Sequence, residues 1–269
     1  MIYDCFSYWD EDLLLDLRLN ILDKFVDYFV IVEGNKTWQN NPKKLRFDLN
    51  KFKNFKDKII YVPVTDLPDG DDPYLRENYQ RNSILKGLND SKPDDIIIIS
   101  DLDEIPDPEK IKLFKRKMRY AVFKQMHFYY KINLQSQINP FWFGSRICVR
   151  KYLKSPQWLR DLKFKKRPFW RLDKFRLNNI ITDGGWHFCN LKTPEDLLYK
   201  YKNLCETNDP IHFKERIDPK YLQIDEIQKK VISGEDIIGR KDNFEKIELD
   251  YSFPEYLIKN KENYRDWII

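Results

Sequence analysis

Hydrophobic positions in the first hundred residues fall into short β-branched or aromatic runs, each stopping at a polar group. Residues 2–6, 28–32 and 58–64 are such runs, and the fourth is Ile96-Ile97-Ile98-Ile99. Unbroken apolar runs bounded by acidic, Gly or Pro punctuation predict strands buried on both faces, as in a parallel sheet with helices on each side. Leu14, Leu17, Ile21 and Phe25 recur at helical spacing after the first run, while Asp10 and Asp12 supply an acidic first turn. Residues 74–88 predict a second helix, dense in polar groups along its front half (Arg76, Glu77, Asn78, Gln80, Arg81, Asn82). Strand, helix, strand, strand, helix, strand is the order of a nucleotide-binding α/β half.

The pattern changes after residue 120. Residues 121–132 and 141–150 are aromatic-rich and predict strands that extend the sheet in the antiparallel sense, separated by a polar loop closed by Pro140. Residues 155–179 are basic and aromatic with poor periodicity, which predicts a long loop region with short elements. Asp107-Pro108, Thr193-Pro194 and Asp218-Pro219 predict helix starts, the last helix ending near Gly234, and residues 254–269 predict a closing helix. There is no internal repeat and no low-complexity linker, so the expectation is one α/β domain over residues 1–269.

Composition narrows the function. Against 48 Lys and Arg stand 43 Asp and Glu, a net charge of +5, too balanced for a dedicated nucleic-acid binder. No run has the length of a membrane span and no secretory signal opens the chain, so a cytoplasmic protein is expected. Cys5, Cys148, Cys189 and Cys205 are scattered without a Cys-x-x-Cys pair, which argues for reduced thiols and against a zinc cluster or disulfide framework. Eight glycines form no phosphate-binding loop.

The candidate chemistry begins where the isoleucine run ends, at Ser100-Asp101-Leu102-Asp103-Glu104. A strand at the centre of an open α/β sheet delivers its carboxyl end to the ligand crevice. In an extended chain Asp101 and Asp103 point to one side, and paired carboxylate oxygens suit Mg²⁺ or Mn²⁺ bridging to a diphosphate. Asp-x-Asp also occurs at Asp10/Asp12 and Asp69/Asp71, where a helix start and a turn explain it. Asp4 and Glu33 sit toward the ends of two other predicted strands and are candidates for contacts to a nucleotide, with Arg76 or Arg81 for its diphosphate. The ordinary alternative for Arg76 is a solvated helix face. Gly184-Gly185-Trp186-His187 suggests close backbone approach to a ligand, a Trp face for a sugar ring, and a third metal ligand in His187. Asp183, then Glu206, are the candidates for a catalytic base.

The residues 2–7, Arg18-Leu19-Asn20, 28–33, Arg76-Glu77-Asn78-Tyr79-Gln80-Arg81-Asn82, 94–106 and Gly185-Trp186-His187-Phe188 together resemble glycosyltransferase family 17, in order from residue 2 to about residue 240. The resemblance implies a GT-A fold, Rossmann-like with a mostly parallel central sheet and helices on both faces. It assigns a nucleotide-binding half to residues 1–120 and an acceptor-side half to residues 121–269. It further implies a UDP-sugar donor, UDP-N-acetylglucosamine, a glycan acceptor, and inverting transfer with Mn²⁺ or Mg²⁺ at Asp101 and Asp103. Two alternatives stand beside it: a sugar nucleotidyltransferase using the same paired aspartates, and a non-catalytic glycan-binding module on the same fold.

Overall fold

Alternate residues of the isoleucine run enter opposite cores: Ile97 and Ile99 pack on one face of the sheet, Ile98 on the other. Each such burial contributes about 1.5–3 kcal/mol, so the run fixes the register of the strand that precedes the acidic turn. The structure is a computed structural model and describes residues 1–163, 179–208 and 217–269, without the side chains of Glu206 and Asn208. Most of the basic stretch, residues 164–178, and His212 lie outside the described residues.

In chain order the elements are β1 (Ile2–Ser7), α1 (Asp12–Leu22), β2 (Tyr28–Gly34), β3 (Ile59–Val64), α2 (Pro73–Asn82), β4 (Ile96–Asp101), β5 (Glu104–Pro106), α3 (Pro108–Ile111), β6 (Tyr120–Tyr129), β7 (Leu134–Ser136), β8 (Phe141–Val149), α4 (Pro156–Asp161), β9 (Ile180–Ile181), β10 (Gly185–Cys189), α5 (Pro194–Asn203), α6 (Ile224–Ser233), β11 (Phe244–Lys246) and α7 (Glu255–Lys259). β3, β2, β1 and β4 lie side by side, all parallel, as the apolar runs predict. β8 then pairs antiparallel with β4, and β6 antiparallel with β8, so the aromatic strands extend the same sheet. β10 joins it in parallel with β6 and antiparallel with β5.

Helices cover both faces. Leu14, Leu15, Leu17, Ile21 and Leu22 of α1 pack with Leu257 of α7 in one core, while Ile84, Leu88 and Leu159 pack in the other. The predicted helix over 74–88 divides into α2 and a 3-10 segment at Ser83–Leu88. Asp107, Thr193 and Asp218 cap their elements as expected, each side-chain oxygen accepting from a backbone N–H. The helix expected after Asp218 opens instead with the 3-10 turn Pro219–Tyr221, and α6 follows, ending at Gly234 with φ 68°.

One buried ion pair ties the first helix to the acidic turn. Arg18 Nε and Nη2 donate to Asp4 Oδ2 and Oδ1 at 2.7 and 2.6 Å, with both side chains fully buried. Its Nη1 donates to the carbonyls of Glu104 at 2.7 Å, Leu102 at 3.1 Å and Asp101 at 3.2 Å. The turn between β4 and β5 therefore has its carbonyls satisfied from inside the protein, leaving the side chains of Asp101 and Asp103 on the outer side.

Candidate active site

A cavity of about 1020 Å³ opens over the carboxyl end of β4, lined by Asp101, Asp103, His187 and Arg81 among the expected residues. The chain is not extended there. β4 stops at Asp101, residues 102 and 103 make a turn, and Leu102 tucks into the core. Asp101 and Asp103 nevertheless both reach the cavity, because the turn, rather than strand alternation, presents them.

The two carboxylates have different partners. Asp101 Oδ2 accepts from Arg160 Nη2 at 2.8 Å and Oδ1 from Arg81 Nη2 at 3.1 Å. Burial alone would raise its pKa, but Arg160 and then Arg81 hold it well below the usual carboxylate range. Asp103 Oδ2 lies 3.5 Å from His187 Nε2. Burial again opposes its charge, and His187, followed by Lys200, keeps its pKa lowered. The same pairing raises the His187 pKa well above that of a free imidazole in spite of burial. Each carboxylate oxygen has two lone pairs, so the arginines leave Asp101 with acceptor capacity toward the cavity. Asp101 is close enough for its charge to oppose ionisation of Asp103. Paired oxygens of this kind fit a hard divalent cation, with His187 orienting Asp103.

Glu104 is the buried member of the cluster. Its carboxylate accepts from Trp142 Nε1 at 2.7 Å, from Arg160 Nη1 and Nη2 at 2.6 and 3.0 Å, and from the Asp101 amide at 3.1 Å. Arg160 thus bridges Asp101 and Glu104, and Arg81 bridges Asp101 and Glu77, the latter at 2.7 Å. Elsewhere in the lining Lys192 pairs with Asp10 and Glu11, and Lys200 donates to Asn190 Oδ1 at 3.0 Å. Trp9, stacked edge-on to Trp38 with ring centroids 5.5 Å apart, supplies an aromatic flank.

The other expected site residues lie elsewhere. Asp4 sits mid-strand and serves Arg18. Glu33 is fully buried, accepting from Lys43 Nζ, the amides of Arg46 and Phe47 at 2.7 and 3.0 Å, and Tyr61 Oη at 3.0 Å. It anchors the segment after β2 and has no oxygen to spare for a nucleotide. Arg76 is buried and donates to the carbonyls of Trp38 and Gly70, both at 2.6 Å, so it supports the Trp38 flank without lining the cavity. Trp186 points into the core and donates to the Ser252 carbonyl at 2.8 Å. The close approach at Gly185 is to β5, since a Cβ there would meet the Ile105 carbonyl at 2.2 Å.

Asp183 occupies an exposed turn at φ 49°, four residues before His187. It precedes β10 and is not among the described residues that line the cavity, so this arrangement does not bring it to Asp101 and Asp103. Glu206 follows Cys205, a cavity residue, in the 3-10 turn Cys205–Asn208, and its side chain lies outside the described residues. Sequence reasoning missed Glu104, Arg160, Trp142 and Lys200. Of these only Glu104 carried a signal, being contiguous with the acidic pair.

A sequence model of glycosyltransferase family 17 matches residues 1–267. Beta-1,4-mannosyl-glycoprotein 4-beta-N-acetylglucosaminyltransferase of Rattus norvegicus is 25% identical over 94% of the chain and 51% of that protein, and the Mus musculus protein is 24% identical over the same shares. The Homo sapiens protein is 25% identical over 70% of the chain and 40% of its own length. The chain thus spans about half the length of the curated relatives it matches. Among solved structures, UDP-glucose pyrophosphorylase complexed with UDP-glucose overlaps 68% of the chain and 84% of its own at 10% identity and a TM-score of 0.32. Francisella tularensis 2-C-methyl-D-erythritol 4-phosphate cytidylyltransferase overlaps 76% and 99% at 13% identity and a TM-score of 0.34. Overlaps at this level fix neither ligand nor reaction. Among the described residues no helix is long and apolar enough to cross a membrane.

Proposed function

The chain belongs to glycosyltransferase family 17, and on that premise we propose that it transfers a sugar from a UDP-linked donor to a glycan hydroxyl with inversion. The observation that carries this reading is the Arg18-braced turn that presents Asp101 and Asp103 to a cavity of about 1020 Å³. That volume accommodates a sugar nucleotide together with part of an acceptor. The names of the rat and mouse relatives support N-acetylglucosamine as the sugar.

Among the described residues six carboxylates line the cavity, Glu11, Glu77, Asp101, Asp103, Glu104 and Asp218, matched by Arg81, Lys192, Lys200, Arg240 and His187 with Arg160 behind them. With these charges already balanced, an incoming diphosphate brings negative charge of its own, which supports a divalent cation on Asp101 and Asp103. Held by Asp101 and Asp103, Mn²⁺ or Mg²⁺ would supply positive charge to the leaving diphosphate. Arg81 and Arg160 hold Asp101 ionised and in place; Asp103 is held by His187. Lys200, a cavity residue near enough for its charge to act on Asp103, is available to meet a phosphate oxygen. The acceptor oxygen forms its bond to the anomeric carbon as the bond from that carbon to the phosphate oxygen breaks. Its proton passes to a carboxylate base, for which Glu206, whose side chain lies outside the described residues, is the remaining sequence candidate.

A screen of UDP-sugars with Mn²⁺ for slow donor hydrolysis tests the reading. UDP should appear from UDP-N-acetylglucosamine ahead of other donors. Pyrophosphate formed from UTP and a sugar 1-phosphate would instead identify a nucleotidyltransferase. Stabilisation by glycans, with no response to UDP and Mn²⁺, would identify a glycan-binding module.

A further inference from the structure

We propose that His127, His187 and Cys189 form a second cation site on the cavity wall, taking a borderline transition-metal ion of the Zn²⁺ class. The site follows from strand register. His127 and His187 are partners across the parallel β6–β10 pair, and Cys189 lies two residues beyond His187 on the same face. The imidazoles stack with centroids 4.7 Å apart and planes within 2°, and one donor atom from each of the three residues lies within 4.8 Å of the others. Bonds of about 2.0–2.3 Å to a shared ion require those donors to move closer, with the two rings turning out of their stacked arrangement so that their in-plane lone pairs converge.

Two orphaned atoms point to a ligand. His127 Nε2 and His187 Nδ1 are both buried without a hydrogen-bond partner, in side chains only 4% and 6% exposed. A buried ring nitrogen left unpaired is destabilising, so a partner is expected there. The remaining nitrogens are already committed. His127 Nδ1 lies 3.0 Å from the Asn139 carbonyl, so it carries the proton and leaves a lone pair on Nε2. His187 Nε2 faces Asp103, a carboxylate–histidine arrangement that orients metal-bound imidazoles, and an ion at Nδ1 displaces the proton that this pairing otherwise keeps on the ring. Packing of both rings against Trp142, at 5.5 and 5.2 Å, explains their stacking but not the orphaned nitrogens.

Two nitrogens and a sulfur disfavour Mg²⁺ and Ca²⁺ and suit Zn²⁺ or Co²⁺. Three protein donors leave a fourth position toward the cavity, all three residues lining it. The site uses the nitrogen of His187 that faces away from Asp103, so it does not depend on sugar transfer or on the oxygen site at Asp101 and Asp103.

Titration of the metal-stripped full chain with Co²⁺, followed by absorption, tests the proposal. The expected result is saturable binding with a near-ultraviolet sulfur-to-cobalt charge-transfer band and intense visible bands of low coordination number. Cys189→Ser should remove the charge-transfer band, His127→Gln should weaken binding more than about tenfold, and Cys205→Ser should change neither. Circular dichroism identifies any variant that fails to fold, and His127→Ala and Cys189→Ala provide independent replacements. Absence of the band in the wild-type chain, or its persistence in Cys189→Ser, overturns the site. The charge-transfer band should persist in Asp101→Asn, which removes a ligand of the oxygen site only, so failure of one site is read separately from failure of the other.

Discussion

Arg18 grips both oxygens of Asp4 at 2.7 and 2.6 Å while its third nitrogen collects the carbonyls of Asp101, Leu102 and Glu104. A fully buried guanidinium thus connects helix, first strand and acidic turn. Removing one partner of such a pair leaves an uncompensated buried charge, at a cost of about 3–5 kcal/mol. Arg18→Met should lower the free energy of urea unfolding by that amount, and Asp4→Leu in the same chain should restore part of it. A loss below about 1 kcal/mol in Arg18→Met would show that the turn does not rely on this brace.

Arg160 is the second brace, spanning Asp101 at 2.8 Å and the buried Glu104 at 2.6 Å. Arg160→Met should destabilise the fold by about 2–4 kcal/mol near neutral pH. Because the Asp101 pKa is lowered in the folded chain, the stability it contributes is present above the ordinary carboxylate pKa and lost as pH falls through the folded value. The difference between wild type and variant should therefore shrink below about pH 4. Urea melts at pH 7 and pH 3 read both effects, and a difference equal at the two pH values would contradict the ion-pair origin.

His187 has the opposite sign. Its pKa is raised in the folded chain, so the pair with Asp103 contributes fully below about pH 6.5, the free imidazole value, and fades as pH rises through the folded pKa. In metal-free protein the wild-type urea midpoint should fall from pH 6.5 upward, and His187→Gln should lack that component. Parallel pH profiles for the two proteins would rule out a charged His187.

Asp183 stands at the far end of β10 from the cavity, in a turn at φ 49°. Asp183→Asn should leave donor hydrolysis within about twofold of wild type. A loss of about a hundredfold or more, the scale of a missing general base, would return Asp183 to the reaction and require this turn to move.

The parallel strands were legible because β-branched runs can bury both faces of such a strand, and Ile97, Ile98 and Ile99 do so. Asp101 and Asp103 were legible for a related reason: a core strand ending in acids must open onto a cavity. The same reasoning misplaced Asp4 and Glu33, since it supposed that an acid on a buried strand must face a ligand. Their partners, Arg18 and Lys43, are remote in sequence. A clue was present for Asp4, because Arg18 falls four residues after Leu14 on the apolar side of α1 and a buried arginine demands a buried acid. Arg160 gave no such clue, sitting in a basic stretch without periodicity, and the His127–His187 pairing exists only through the register of two distant strands.

The most direct test of the account is a calorimetric titration of UDP into the wild-type chain and Asp103→Ala, each with Mn²⁺ and with a chelator. Mn²⁺ should tighten UDP binding at least about tenfold in the wild type, some 1.4 kcal/mol, and have no effect in a folded Asp103→Ala protein. Equal UDP affinity in all four titrations would contradict a cation held at the end of β4.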